Sequence, residues 1–130
     1  MTPDGMIILP CPHAPKAVMD RLAVSVAAHG MTVFARIDHA AAAKEVEMVL
    51  PPTEVLIFGN PNGGTPLMQA AQTLGIDLPL KALVWQDNAG KTWLGYNDPR
   101  WLAERHGVTG HEKMLEAMTK TLAAVAKDAC

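Results

Sequence analysis

Residues 80–97 read LKALVWQDNAGKTWLGYN. Two β-prone runs, Leu80–Gln86 and Lys91–Asn97, flank Asp87, Asn88, Ala89 and Gly90, a polar turn of the kind that joins hairpin strands. The fold follows from asking what else the chain can pair with this hairpin. Upstream, Thr53–Gly59 (TEVLIFG) is a third strand, and its VLIF centre predicts burial on both faces. Thr32–Asp38 (TVFARID) alternates, with Val33, Ala35 and Ile37 expected on one face and Phe34, Arg36 and Asp38 on the other. Met6–Leu9 is a short first strand closed by Pro10 and Pro12.

Helical patterns separate these runs. From Pro15 to Gly30, Val18, Leu22, Val26 and His29 form one stripe, Lys16 and Asp20 pair at i, i+4, and Gly30 suits a left-handed C-cap. The alanine-rich segment from His39 to Met48 contains a short helix, stopped by Pro51-Pro52. Asp98-Pro99 starts another short helix that ends at Gly107, with Asp as N-cap and Pro at the first helical position. Thr109-Gly-His-Glu112 has the spacing of a capping box, opening a final helix with Met114, Leu115, Met118, Leu122 and Val125 on its apolar stripe. The principal elements run strand–helix–strand–strand–helix–strand–strand–helix. That order predicts an α+β fold of two layers, one domain over residues 1–130.

Composition narrows the class of function. Of 130 residues, 49% are apolar and 18% charged, the balance of a packed globular chain rather than a disordered one. The net charge of −2, with basic residues scattered, gives no electrostatic basis for a nucleic-acid partner. No run approaches eighteen apolar residues, so no membrane partner is expected, and the first residues have no basic leader region. Two cysteines near opposite ends, Cys11 and Cys130, do not resemble the dense spacing of a secreted disulfide scaffold, and the expected compartment is the cytoplasm.

The stretch Phe58–Gly75 (FGNPNGGTPLMQAAQTLG) carries the main site question. Two glycines bracket four residues before Thr65, but the lysine of a Walker loop, which supplies charge to the β and γ phosphates, is missing. The residues serve a strand-to-helix turn equally well: Gly63-Gly64 for the turn, Thr65 as N-cap, Pro66 at the first helical position, and Gly75 at the end. A helix start behind two glycines also presents N–H groups to an anion. The expected ligand site therefore joins Asn60, Gly63, Gly64 and Thr65 to Lys81 as a compensating charge, with Asp38 and His39 beside it. Its ligand would be a small anion.

Two alternatives use other side chains. One is an enzyme with Asp38 or His39 as acid or base and substrate held by Asn60 and Thr65, although neighbours on a strand point to opposite faces. The other is a metal or haem protein built on Cys11 and His13, which lacks the second ligand pair of a structural zinc site. The only serine, Ser25, lies mid-helix, so no hydrolase triad is legible, and the catalytic residues and cofactor stay unassigned. The methionines read as core filler, and Trp85, Trp93 and Trp101 as core first and interface second.

Three stretches carry a resemblance. Residues 51–87, PPTEVLIFGNPNGGTPLMQAAQTLGIDLPLKALVWQD, followed by WLGYNDPRWLAERHGV at 93–108, resemble the domain-of-unknown-function family 302, as does MTVFARIDHAA at 31–41. The resemblance spans nearly the whole chain. It implies a curved antiparallel sheet backed by helices, similar to one copy of the TATA-binding-protein-like fold, and a homodimer. It assigns no catalytic residues. The sequence departs from the family pattern at Asn62-Gly63, where relatives carry a lysine and an apolar residue. A second departure lies between Lys44 and Val49, which lacks the glycine expected before Pro51-Pro52. With the absence of a catalytic set, this favours a non-catalytic small-ligand binding or sensing module.

Overall fold

The computed structural model describes residues 2–130. In chain order it contains β1 (Met6–Cys11), α1 (Pro15–Ala28), β2 (Thr32–Asp38), α2 (His39–Glu45), β3 (Thr53–Gly59) and α3 (Pro61–Ala70). A 3₁₀ turn (Gln72–Ile76) leads to β4 (Leu80–Gln86), β5 (Thr92–Asn97), α4 (Pro99–Arg105) and α5 (Glu112–Ala129). The strands form one antiparallel sheet in the order β1-β5-β4-β3-β2, so β1 and β2 are its edges. The expected α+β class and order of elements are those observed. The 80–97 hairpin forms as read, with Trp85 opposite Trp93.

One face of the sheet is covered. Val18, Met19, Leu22 and Val26 of α1 and Leu122, Val125 and Ala126 of α5 pack on Leu56, Phe58, Ala82, Val84 and Leu94. Truncating such a leucine to alanine typically costs about 2–5 kcal/mol. The two helices are also stitched by polar bonds: the buried Ser25 hydroxyl donates to the Val125 carbonyl at 3.1 Å. Arg21 donates to the carbonyls of Asp128 and Ala129, both at 3.0 Å, capping the end of α5.

Register places different residues on the opposite face. Ile8, Gly95, Leu83, Val55 and Ile37 form one rank across all five strands, and Pro10, Trp93, Trp85 and Thr53 form the next. Val55, Leu83, Trp85 and Trp93 are only half-buried. The double burial expected for β3 is therefore complete on the helix side alone, and Trp85 and Trp93 are not core. A bulge at Phe34 breaks the alternation expected for β2: Val33 pairs with Phe58 and Ala35 with Ile57, which puts them on opposite faces.

Three local expectations give way to better hydrogen bonding. α3 begins at Pro61 with Asn60 as its cap, not at Pro66 with Thr65. Gly63 and Gly64 thus lie inside a helix, and Pro66 sits in its interior. The capping box at Thr109–Glu112 does not form, because Gly110 turns left-handed and His111 becomes the N-cap; Glu112 instead accepts from the Gly110 amide. Asp20 bonds Arg36 across to β2 at 2.7 Å rather than Lys16, while on α5 Glu116 and Lys120 close an i, i+4 pair at 3.2 Å.

Candidate functional site

Where β3 delivers the chain to α3, the sheet and helices part around a cavity of about 740 Å³. Its size lies within the 300–1,000 Å³ typical of small-molecule sites. One wall is the start of α3, from Gly59 through Thr65 to Met68. The middle of α5 faces it with Met114, Ala117, Met118, Thr121 and Leu122. Met31 and Phe34 close one side, and Leu78, Pro79 and Leu80, around a cis Leu78-Pro79 bond, close the other.

The glycines explain why a hollow exists there. A Cβ built on Gly63 would stand 3.5 Å from Met118 Cε, and one on Gly64 would stand 3.6 Å from Leu78 Cδ1. A side chain longer than alanine at either position would project into the space between these partners. Glycine inside a helix costs roughly 0.5–1 kcal/mol relative to alanine, so the pair gives up helix stability where α3 faces Met118 and Leu78.

The polar groups of this helix start are already engaged. Pro61 has no N–H; the Asn62 amide donates to Asn60 Oδ1 at 3.0 Å. The amides of Gly63 and Gly64 donate to the Asn60 carbonyl at 2.9 and 3.0 Å. The expectation of free amides for an anion therefore has no basis in this geometry: the capping that starts α3 five residues earlier consumes them. Every residue on the cavity wall is uncharged at neutral pH.

The structure gathers four of the expected ligand residues and disperses the rest. Asn60, Gly63, Gly64 and Thr65 line the cavity. Asp38 pairs with Glu54 at the end of β2 remote from Thr32, which pairs with Gly59. At about 3.3 Å per residue, that puts it roughly 20 Å along the strand pair from Gly59, where the loop to α3 begins. There its carboxylate caps α2 by accepting from the Ala41 amide at 2.9 Å, and His39 is the first residue of that helix. Lys81 pairs with Ile57 on the uncovered face and donates to the carbonyls of Asp77 and Pro79 at 3.3 Å. The structure does not bring the residues of the acid–base alternative together: its proton-transfer residues and its substrate loop occupy opposite ends of a strand pair.

The metal alternative meets a covalent obstacle. Cys11 and Cys130 are joined by a disulfide, with Cα atoms 4.7 Å apart, so Cys11 offers no thiolate to pair with His13. Among the described residues, no three His, Cys, Asp or Glu side chains are grouped to hold a metal ion.

Sequence reasoning missed two features. The first is that Met31, Met68, Met114 and Met118, from three separate segments, share the cavity wall. The i, i+4 spacing of Met114 and Met118 was the available signal. The second is a polar cluster beside the 3₁₀ turn. Asp77 Oδ2 accepts from Arg105 Nη1 at 2.6 Å and lies 2.5 Å from His106 Nε2, while His106 Nδ1 lies 2.9 Å from the Thr73 hydroxyl. Burial pushes the Asp77 carboxyl upward, but the bonds from His106 and Arg105 outweigh it and hold the group below its ordinary value. Opposite a carboxylate, Nε2 carries a proton, and Nδ1 bonds the Thr73 hydroxyl. None of these residues lines the cavity, so the cluster fastens the 3₁₀ turn to the end of α4.

Comparisons with known proteins agree with this fold. The family model described as "Domain of unknown function DUF302" matches residues 7–126. An uncharacterized conserved DUF302 protein from Bacillus stearothermophilus, solved as a crystal structure, superposes with a TM-score of 0.87 at 20% identity, covering 98% of this chain and 100% of that one. The chain is also 49% identical over 105 residues to proteins named fluoride-specific ion channel FluC 1 from Brucella suis and Brucella abortus. The match covers 81% of this chain but only 41% and 39% of those relatives, so the chain spans about two fifths of their length.

Proposed function

This chain belongs to the DUF302 family, and on that premise we propose a non-catalytic binding or sensing module whose small ligand occupies the methionine-lined cavity. The observation that carries the reading is the cavity itself: about 740 Å³, ligand-sized, and bounded by an α3 start whose two glycines leave it open. Its wall holds no ionisable side chain, which suits binding rather than proton transfer. The FluC relatives, which are mostly outside the match, fit a sensing unit joined to a second functional part. Their channel activity is not carried over, and no helix among the described residues is long and apolar enough to cross a membrane.

Filling the cavity tests this directly. Ala117→Phe places a ring in the hollow, whereas Ala123→Phe places the same ring on the exposed side of α5. In a thermal-shift screen, a ligand at 100 times its dissociation constant stabilises by about 2.7 kcal/mol. The shift should vanish in Ala117→Phe and persist in Ala123→Phe. Equal shifts in both variants would remove the cavity as the site.

We further propose that two copies pair through the uncovered sheet face. Ile8, Val55, Ile57, Leu83, Trp85 and Trp93 lie there half-buried, and aromatic, charge-poor surfaces are characteristic of interface centres. Leu83→Arg, which leaves the helix-covered core untouched, should convert a dimer to a monomer in analytical ultracentrifugation. A wild-type protein that sediments as a monomer at high micromolar concentration would refute the pairing. A cytoplasmic location belongs to the same proposal and must accommodate the Cys11–Cys130 bridge, which a reducing compartment would open. Thiol labelling in intact cells reads which state prevails.

A further inference from the structure

We propose that the cavity takes a neutral, largely apolar molecule with one hydroxyl or carbonyl end, the chemistry of a medium-chain alcohol, and rejects anions and cations of the same length. The inference rests on the cavity being a ligand site and goes on to name the class of ligand. Transferring an ion from water into an apolar site costs several kcal/mol unless a counter-charge or hydrogen bonds replace its hydration. This wall supplies no counter-charge. It carries no Asp, Glu, Lys, Arg or His, and the amides at the start of α3 are committed to Asn60.

What the wall does supply is a few uncharged hydrogen-bonding side chains. Asn62 and Thr65 lie on the α3 side and Thr121 on α5, and their side chains bond no other group among the described residues. They can meet one hydroxyl or carbonyl. The remaining surface is apolar, and its four thioether side chains are unbranched and polarizable, so they adapt to a flexible chain or a flat ring. The methionines do not form a soft-metal cage. Met68 turns its methyl toward Gly64 and its sulfur toward Gly75, where a Cβ on glycine would be 3.6 Å from Sδ. A Cu(I) site needs sulfurs converging on one point.

The test displaces Nile red, an uncharged fluorescent probe, from the full-length protein with decan-1-ol, decanoate or decylammonium at pH 8, below their aggregation limits. Decanol should compete at a concentration about tenfold or more below either ion, the least expected when a charge loses its hydration unpaired. Thr121→Lys adds a cation to the wall and should tighten decanoate by about tenfold, reversing its rank against decylammonium. If that variant does not fold, the wild-type comparison decides alone. Decanoate or decylammonium binding as tightly as decanol overturns the ligand class while leaving the cavity as a site. Nile red fluorescence unchanged by Ala117→Phe, with no displacement by any of the three, overturns the site itself and the class with it.

Discussion

Glu47 has φ 59°, in the left-handed region, immediately after α2. An L-residue there pays roughly 1–2 kcal/mol that glycine avoids, although glycine loses more chain entropy on folding. The family pattern leads one to expect a glycine in this segment, and Glu47 takes the backbone conformation such a glycine would have. Glu47→Gly should therefore stabilise the protein, by up to about 1 kcal/mol in urea unfolding, and Glu47→Val should destabilise it. A loss of stability in the glycine variant would show that the Glu47 side chain makes a contact worth more than the strain. Asp77 gives a second test at this scale. Its native pKa is depressed below the ordinary value of 3.8, so its stabilising effect is fully present above that value and is lost as pH falls through the lower native one. Asp77→Asn should lower the melting temperature near neutrality, with the gap to wild type closing in strong acid. A gap that stays constant down to pH 2 would mean the carboxylate charge is irrelevant.

At the level of elements, the strands were the legible part. β2, β3 and β4 have the boundaries their composition implies, because β-branched and aromatic runs end at proline, glycine and polar turn residues. Helix starts were less legible, since two start signals lie five residues apart. Asn60-Pro61 and Thr65-Pro66 both have a capping residue followed by proline, and Gly63-Gly64 between them argued for a turn. The chain uses the first pair because Asn60 satisfies three amides at once through its side chain and carbonyl. That choice also decides the site, turning an anion cradle into the wall of an apolar cavity. Which methionines would meet across that cavity depends on how α3 and α5 pack, and periodicity along one element does not report it. Alanine substitution separates the two starts. Asn60→Ala should cost about 1 kcal/mol as a lost N-cap. Thr65→Ala, in a helix interior, should be neutral or stabilising by up to about 0.7 kcal/mol. The reverse ranking in chemical denaturation would restore the later start.

Across the whole molecule, the covalent link between Cys11 and Cys130 joins residues 119 apart in sequence. It fastens the end of edge strand β1 to the end of α5, the helix whose middle forms one side of the cavity. Neither cysteine signalled this in the sequence, because two isolated thiols fit a reduced protein just as well, and only the return of α5 alongside α1 and β1 brings them together. A crosslink of this span restricts the unfolded chain, and the loop-entropy model sets its contribution near 4–5 kcal/mol as an upper estimate. Other anchors hold the same end: Arg21 on the carbonyls of Asp128 and Ala129, and Ser25 on that of Val125. Loss of the bridge should therefore lower stability without unfolding the helix pair. Cys130→Ser should shift the urea midpoint down by an amount equivalent to about 2–5 kcal/mol, and dithiothreitol should move the wild type to the same midpoint while leaving the variant where it is. A wild-type midpoint indifferent to reductant, in protein whose two thiols then label stoichiometrically, would show that the non-covalent anchors alone set the position of α5. The cavity would then be expected to keep its ligand in either redox state.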